Sequence, residues 1–148
     1  MKFTYSIPTK ILFGPGSFND LATTPLPGKK ALVVITAGKS MRANGYLDRL
    51  IDMLDKQGIG HALFDKILPN PVLRHVHEGA ALAREQGCDF VIGLGGGSSI
   101  DCAKAIAAGV KYDGDAWDLF KNPSLIQDAL PVLSVLTISA TGSEMDGF

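Results

Sequence analysis

The stretch that most constrains the fold lies at residues 90–104, where a short apolar run meets three glycines, two serines and a helix-forming segment. Glycines let the backbone turn tightly and let peptide N–H groups approach an anion without a Cβ in the way. The helix behind them adds unpaired N–H donors and a partial positive charge. The pattern predicts a buried strand that delivers a phosphate group to a helix N-terminus. The candidate phosphate-binding residues are Gly95, Gly96, Gly97, Ser98 and Ser99.

Two side chains of this stretch also admit a purely structural interpretation. Ser98 and Asp101 have the Ser-x-x-Asp spacing of a capping box, in which they would satisfy the first turn of their own helix. This role does not exclude phosphate binding, and the sequence leaves both open. Lys104, further along the helix, either reaches a phosphate or ribose or pairs with Asp101 at i, i+3.

Buried strands and amphipathic helices alternate along the chain. Apolar β-branched runs and helical spacing of apolar residues predict strands at 30–36, 59–64, 90–94 and 130–136, and helices at 41–57, 71–86 and 99–108. In the second helix, Asn70 is expected as the N-cap before a proline. We therefore expect one α/β domain over residues 1–148, a doubly wound, mostly parallel sheet with helices on both faces.

Polar turns follow three of these strands, at residues 36–40, 95–99 and 137–144. Ligands bind beyond the carboxyl ends of the strands in such sheets, so the three turns should meet at one edge. The first turn contains Gly38, Lys39 and Ser40 but no carboxylate, which is the usual partner of an unphosphorylated adenosine ribose. Small residues plus a cation leave room for a 2′-phosphate, which favours NADP over NAD.

The glycine turn differs from two well-known nucleotide motifs. Ile100 stands where the third glycine of G-x-G-x-x-G would be, and the turn follows the third strand instead of the first. No Gly-Lys-Ser/Thr follows at the distance that a Walker A loop requires. A nucleotide phosphate still suits the turn physically.

Few residues offer catalytic chemistry. His61 lies in a strand-like segment, and His75 and His77 point to different faces of a helix, so we expect surface histidines. The sequence contains no His, Asp and Glu set with metal-ligand spacing and no assignable Ser/His/Asp arrangement. Cys88 and Cys102 are expected to be reduced, packed thiols.

Charge and hydropathy exclude several classes of partner. The chain has 14 basic and 15 acidic side chains and no Lys/Arg run, so we expect neither nucleic acid nor an anionic membrane as a partner. No apolar run approaches the roughly 20 residues of a membrane span, and the N-terminus lacks the apolar core of a signal peptide. A cytoplasmic protein is expected.

Three segments together resemble a known family. Residues 95–104 read G-G-G-S-x-x-D-x-A-K, residues 141–144 read T-G-S-E, and residues 69–71 read P-N-P. This combination resembles the iron-containing (group III) alcohol dehydrogenases over essentially the whole chain. The likeness is greatest to the butanol-dehydrogenase-type branch, through Asn44-Gly45 and residues 11–16.

The resemblance implies a particular architecture and metal. It implies a Rossmann-like N-terminal domain of a dehydroquinate-synthase-like fold, followed by an all-helical domain in which an aspartate and three histidines hold iron or sometimes zinc. The sequence ends at Phe148, before any of these ligands. We therefore expect the metal-binding domain to be absent from this chain.

The resemblance also implies positions for the cofactor. Gly96, Gly97, Ser98 and Asp101 would lie at its pyrophosphate and nicotinamide side. Thr137, Ser139 and Thr141 would line it near the adenine and ribose, Gly38 to Ser40 would face the adenosine ribose, and Asn70 would face the cofactor cleft. The family commonly has Thr-Thr-x-(Gly/Ala)-Thr-Gly-Ser-Glu here, and Thr137-Ile138-Ser139-Ala140 departs from it.

The function implied is the cofactor-binding part of a metal-dependent alcohol dehydrogenase or aldehyde reductase. Hydride would pass between NAD or NADP and a small alcohol or aldehyde, and a homo-oligomer is expected. The chain alone should lack dehydrogenase activity. Two alternatives stay open: a non-catalytic nucleotide-binding or interaction module, and a kinase of the phosphofructokinase kind, in which a strand also delivers a glycine-serine loop to ATP.

Overall fold

A parallel sheet with helices on both faces forms the body of the computed structural model, which describes residues 2, 9–68, 70–139 and 142–145. Its strands are β1 (Lys30–Thr36), β2 (Gly60–Ile67), β3 (Phe90–Gly95) and β4 (Val132–Leu136). Its helices are α1 (Ser40–Ala43), α2 (Tyr46–Lys56), α3 (Leu73–Gln86), α4 (Gly97–Val110) and α5 (Ala116–Lys121), with 3-10 helices at Ser17–Ala22 and Pro123–Leu125. The expected α/β fold is confirmed.

The strands lie in the order β2-β1-β3-β4 and every neighbouring pair is parallel. The chain moves from β1 outward to β2, then crosses back over β1 to β3 and continues to β4. The direction of winding therefore reverses between β1 and β3. In open α/β sheets this reversal opens a crevice beyond the carboxyl ends of the two strands, where ligands bind.

The two central strands are buried on both faces, as their apolar composition predicts. Every residue of β3 is buried, as are the five inner residues of β1. Leu32 and Val34 of β1 pack with the helices α3 and α4, whereas Val33 and Ile35 pack with α2 on the opposite face. Helices on both faces therefore close the core around a parallel sheet.

Helix boundaries differ from the sequence predictions where glycine or asparagine takes a left-handed conformation. The predicted helix 41–57 is divided into α1 and α2, because Gly45 has φ 70° between them. Asn70 is not the N-cap that was expected: it has φ 59°, and helix α3 begins at Leu73 after Val72. An N-cap typically has an extended backbone, which Val72 adopts and Asn70 does not.

The structure excludes one alternative that the sequence left open and contradicts one expectation for a histidine. The N-cap of α4 is Gly96, so Ser98 lies inside the helix and the Ser98–Asp101 capping box does not form. His75 is buried, with 1% of its surface exposed, and its Nδ1 accepts the N–H of Val72 at 3.3 Å. Helix α3 contacts α4 as well as the sheet, so its buried face is wide enough to include His75 as well as Val76.

Both cysteines are free and buried, as expected. Burial raises the pKa of the Cys102 thiol to about 12, and the Asp101 charge acts in the same direction. Burial also raises the pKa of Cys88, against a smaller opposing effect of Lys30. Neither thiol is a ready nucleophile at neutral pH.

In the residues that the structure describes, no helix is long and apolar enough to cross a bilayer.

A carboxylate fixes the start of β1 against the start of β3. Asp89 accepts the backbone N–H of Lys29 at 2.8 Å and that of Lys30 at 2.9 Å. Its own N–H donates to the carbonyl of Lys30 at 2.9 Å. Desolvation raises the pKa of Asp89. The backbone N–H donors and the charge of Lys29 lower it by more, so the pKa lies below its usual 3.8.

We expect Asp89→Asn to lower the free energy of unfolding at neutral pH by about 1 kcal/mol, because charge-assisted hydrogen bonds are lost. A folded-state pKa below the unfolded value stabilises the fold above about pH 4, and this contribution disappears as the pH falls through the folded value. Urea denaturation of both proteins from neutral pH downward measures the difference, which should shrink in acid. Asp113→Asn, at an exposed carboxylate, is the matched control, and equal losses in both variants at neutral pH would contradict the assignment.

Candidate cofactor site

Three strands end at the same level on one edge of the sheet. Val34 of β1 lies opposite Gly93 of β3, and Gly95 of β3 lies opposite Leu136 of β4. Strands β1 and β3 therefore end side by side, at Thr36 and Gly95. The turns that follow β1, β3 and β4 line one continuous edge, which includes the crevice where the winding direction reverses.

The glycine turn has a backbone that only glycine adopts easily. Gly95 has φ 142°, and a Cβ built on it would lie 2.8 Å from Oγ of Ser99. Gly96 is then extended and is the N-cap of helix α4, whose first bonds run from the N–H groups of Ser99 and Ile100 to the Gly96 carbonyl. The N–H groups of Gly97 and Ser98 open the helix and have no acceptor within it.

The turn after β4 packs against the glycine turn. The N–H of Thr137 donates to the Gly95 carbonyl at 3.0 Å. A Cβ on Gly96 would lie 2.9 Å from Cγ2 of Ile138, so the Ile138 side chain covers that glycine closely. Two of the predicted polar turns are thus joined by direct contact.

Ser99 carries a buried hydroxyl that lacks a hydrogen-bond partner in the described part of the chain. The residue is fully buried and its Oγ has no partner. An unpaired buried hydroxyl costs about 1–3 kcal/mol, so such groups are rare without a reason. Its place one helical turn beyond Gly95 puts this orphaned group directly beneath the glycine turn, which fits a site that is completed by a ligand.

The other predicted site residues lie outside the glycine turn, along α4, beyond β2 and after β4. Asp101 is exposed one turn further along α4, and Lys104 lies about 10 Å along the helix axis from its start. Asn70 is exposed beyond β2, the edge strand on the far side of β1. Ser139 is exposed in the turn after β4. Thr141, with Ala140, falls outside the described residues.

The turn after β1 presents exposed polar residues beside the crevice. Gly38, Lys39 and Ser40 are all exposed. The N–H of Ala37 donates to the Ile67 carbonyl at 2.8 Å, so this turn is tied to the end of β2. Arg42 follows in α1 and forms an ion pair with Asp65 of β2.

Sequence reasoning missed three residues near this edge. Ile138 has 61% of its surface exposed although it is large and apolar, and Asp65 pairs with a cation next to the first turn. Glu144 has a buried carboxylate oxygen without a hydrogen-bond partner among the described residues. The departure from the family's Thr-Thr pattern pointed at Ile138, and the T-G-S-E motif contained Glu144, whereas nothing local indicated Asp65.

Comparison with known proteins agrees with this geometry. The model of the iron-containing alcohol dehydrogenase family matches residues 8–148. The chain belongs to this family.

Relatives within the family share both sequence and fold with the chain. It is 43% identical over 146 residues to NADH-dependent butanol dehydrogenase A of Clostridium acetobutylicum, covering 99% of this chain and 38% of the relative. It is 35% identical to the NADPH-dependent aldehyde reductase of Escherichia coli, covering 96% and 37%. The crystal structure of NADH-dependent butanol dehydrogenase A from Thermotoga maritima superposes with a TM-score of 0.88 at 42% identity, covering 99% and 37%. The chain spans less than two-fifths of the length of these proteins.

The family name implies iron, and the described residues do not fit an iron site. Across residues 2, 9–68, 70–139 and 142–145, no three His, Cys, Asp or Glu side chains form a group that could hold a metal ion. The same residues do fit a dinucleotide: a level edge of strand ends, a glycine turn at a helix start and an orphaned hydroxyl beneath it.

We expect Gly95→Ala to lower the free energy of unfolding by about 1–3 kcal/mol, because alanine is strained at this φ and its Cβ would collide with Oγ of Ser99. Thermal or urea denaturation measures the loss. Gly38→Ala is the control, since its Cβ would only touch Oγ1 of Thr36 at 3.9 Å. Equal stability of the two variants would show that the turn is not strained as described.

Proposed function

We propose that this chain is the nicotinamide-dinucleotide-binding domain, over residues 1–148, of an oxidoreductase that acts on small alcohols or aldehydes. The observation that carries the proposal is the glycine turn between β3 and α4, which sits beside the reversal of winding and contacts the turn after β4. Membership of the iron-containing alcohol dehydrogenase family supports the same function. We also propose a homo-oligomer, because Leu136 and Ile138 expose apolar surface at the sheet edge formed by β4.

The proposed pyrophosphate site is the start of helix α4. The N–H groups of Gly97 and Ser98 and the Ser98 hydroxyl would donate to phosphate oxygens, helped by the positive end of the helix dipole. A bound dinucleotide would give the orphaned Ser99 hydroxyl a hydrogen-bond partner in the same region. Asp101 and Lys104 would act one and two turns further along, at the outer side of the site.

The turns after β1 and β4, on either side of this centre, would hold the adenosine part of the dinucleotide, and its nicotinamide side would lie with the pyrophosphate at Gly96, Gly97, Ser98 and Asp101. Gly38, Lys39 and Ser40 would face the adenosine ribose, and Asn70 would close the cleft beyond β2. Thr137, Ser139 and Thr141 would contribute hydroxyls near the adenine and ribose. The bound nicotinamide ring would supply the hydride chemistry, while these residues bind and orient the cofactor and shield it from water.

We propose NADH rather than NADPH as the preferred cofactor. The relative from Clostridium acetobutylicum, at 43% identity, is named as NADH-dependent, whereas the NADPH-dependent aldehyde reductase is 35% identical. By its amino-acid composition alone, the turn after β1 favoured NADP. Its neighbour Arg42, however, is already paired with the carboxylate of Asp65.

The proposal predicts opposite effects of Ser99→Ala on stability and on binding. Removing an unpaired buried hydroxyl should raise the free energy of unfolding of the unliganded chain by about 1 kcal/mol, while a lost hydrogen bond should weaken NADH binding about fivefold. Denaturation and titration of NADH fluorescence measure the two quantities.

Ser124→Ala is the matched control, because Ser124 lies in the second 3-10 helix and bonds Asn122. It should leave NADH binding unchanged. Absence of binding to NADH and NADPH by the unaltered chain would refute the proposed function, and binding of ATP alone would favour the kinase alternative.

We further propose that the chain binds cofactor without turning over alcohol. The relatives named as dehydrogenases are much longer, and the described residues offer no metal-ligand group. We expect no change of NADH absorbance with butanol or butyraldehyde, with or without added Fe²⁺ or Zn²⁺, under conditions where NADH binds. Metal-dependent turnover by the purified chain would overturn this expectation.

A further inference from the structure

Two cations follow strand β1 one helical turn apart. Lys39 has helical backbone angles as the N-cap of α1, and its carbonyl accepts the N–H of Ala43 at 2.8 Å. Residues three apart in a helix are neighbours on its surface, so Lys39 and Arg42 share one side of α1. Both side chains are exposed. Such a pair beside the adenosine end of a dinucleotide site has the charge that a 2′-phosphate requires.

Arg42 is held by a carboxylate from the neighbouring strand. Its Nη2 donates to Oδ2 of Asp65, and the side chains are 47% and 43% exposed. Both groups therefore stay within reach of solvent, beside the turn after β1. The carboxylate offsets the attraction of the guanidinium for an anion.

An irregularity in the sheet places Asp65 where it meets Arg42. Val34 pairs with Phe64, but Thr36 pairs with Ile67, so β2 carries one extra residue between these pairs. Extra residues of this kind bend a strand and change the direction of its side chains, and they are common beside functional sites. Phe64 packs with α3 and α4, and Asp65 contacts α1 on the opposite face.

We propose that Asp65 is a specificity-determining residue that disfavours NADPH relative to NADH. By pairing with Arg42 it withholds the guanidinium from a 2′-phosphate, and its own negative charge repels that group. NADH lacks the 2′-phosphate and is affected little. The inference rests on the proposed cofactor site, with the adenosine ribose beside the turn after β1.

The test is the ratio of the dissociation constants for NADPH and NADH in Asp65→Asn. We expect NADPH to bind about fivefold more tightly, with NADH changed less than about twofold, since an exposed charge pair contributes modestly. Adenosine 2′,5′-bisphosphate should gain in the same way relative to AMP, which locates the effect at the adenosine end. Adding Arg42→Ala to this variant should remove the gain.

Asp52→Asn is the control, because it removes the same charge from an exposed pair with Lys56 on α2. It should leave the ratio unchanged. If Asp65→Asn does not fold, Arg42→Ala alone decides: it leaves Asp65 unopposed and should weaken NADPH about fivefold relative to NADH.

The outcomes separate the two proposals. If neither dinucleotide binds the unaltered chain, the proposed function fails. If both bind and the ratio stays constant in the Asp65 and Arg42 variants, or if both affinities fall together, the specificity role is overturned and the pair is only structural.

Discussion

The structure depends on the burial of β1 and β3 on both faces. A strand that buries both faces needs helices above and below the sheet, and parallel strands need crossover helices to connect them. Once β1 and β3 are adjacent, the chain can extend the sheet only outward, to β2 on one side and β4 on the other. The reversal between the two central strands, and the crevice beside it, follow from this constraint.

The candidate site combines a defined backbone turn with donor groups that have no partner among the described residues. Gly95 fixes the turn, the Thr137 N–H ties the next turn to it, and the start of α4 points its N–H groups outward. Beneath them, the Ser99 hydroxyl has no hydrogen-bond partner in the part of the chain that the structure describes. In the proposed function, a bound ligand would complete the hydrogen bonding of that hydroxyl. The Arg42–Asp65 pair then adds a choice between ligands that differ by one phosphate.

Much of the fold could be predicted from the sequence, because its strongest signals are hydrophobic. The apolar run 30–36 has the same first and last residues as strand β1. The predicted strand 90–94 is β3, which extends one residue further, to Gly95. Local polar signals were less reliable. Asn70 before a proline is typical of an N-cap, yet its left-handed backbone delays the helix, and Ser98 could not cap a helix that already starts at Gly97.

Contacts between distant elements were beyond sequence reasoning. His75 is buried because α3 packs against α4 as well as the sheet, and Asp65 meets Arg42 because β2 carries an extra residue.

The direct contact between Ile138 and Gly96 affects how a ligand would be recognised. The Ile138 side chain and the Thr137 N–H hold the turn after β4 against the glycine turn, and groups that are held by such contacts lose less entropy when they bind a ligand. Affinity at donors that are held in this way depends mainly on how well the oxygens of the ligand match their positions.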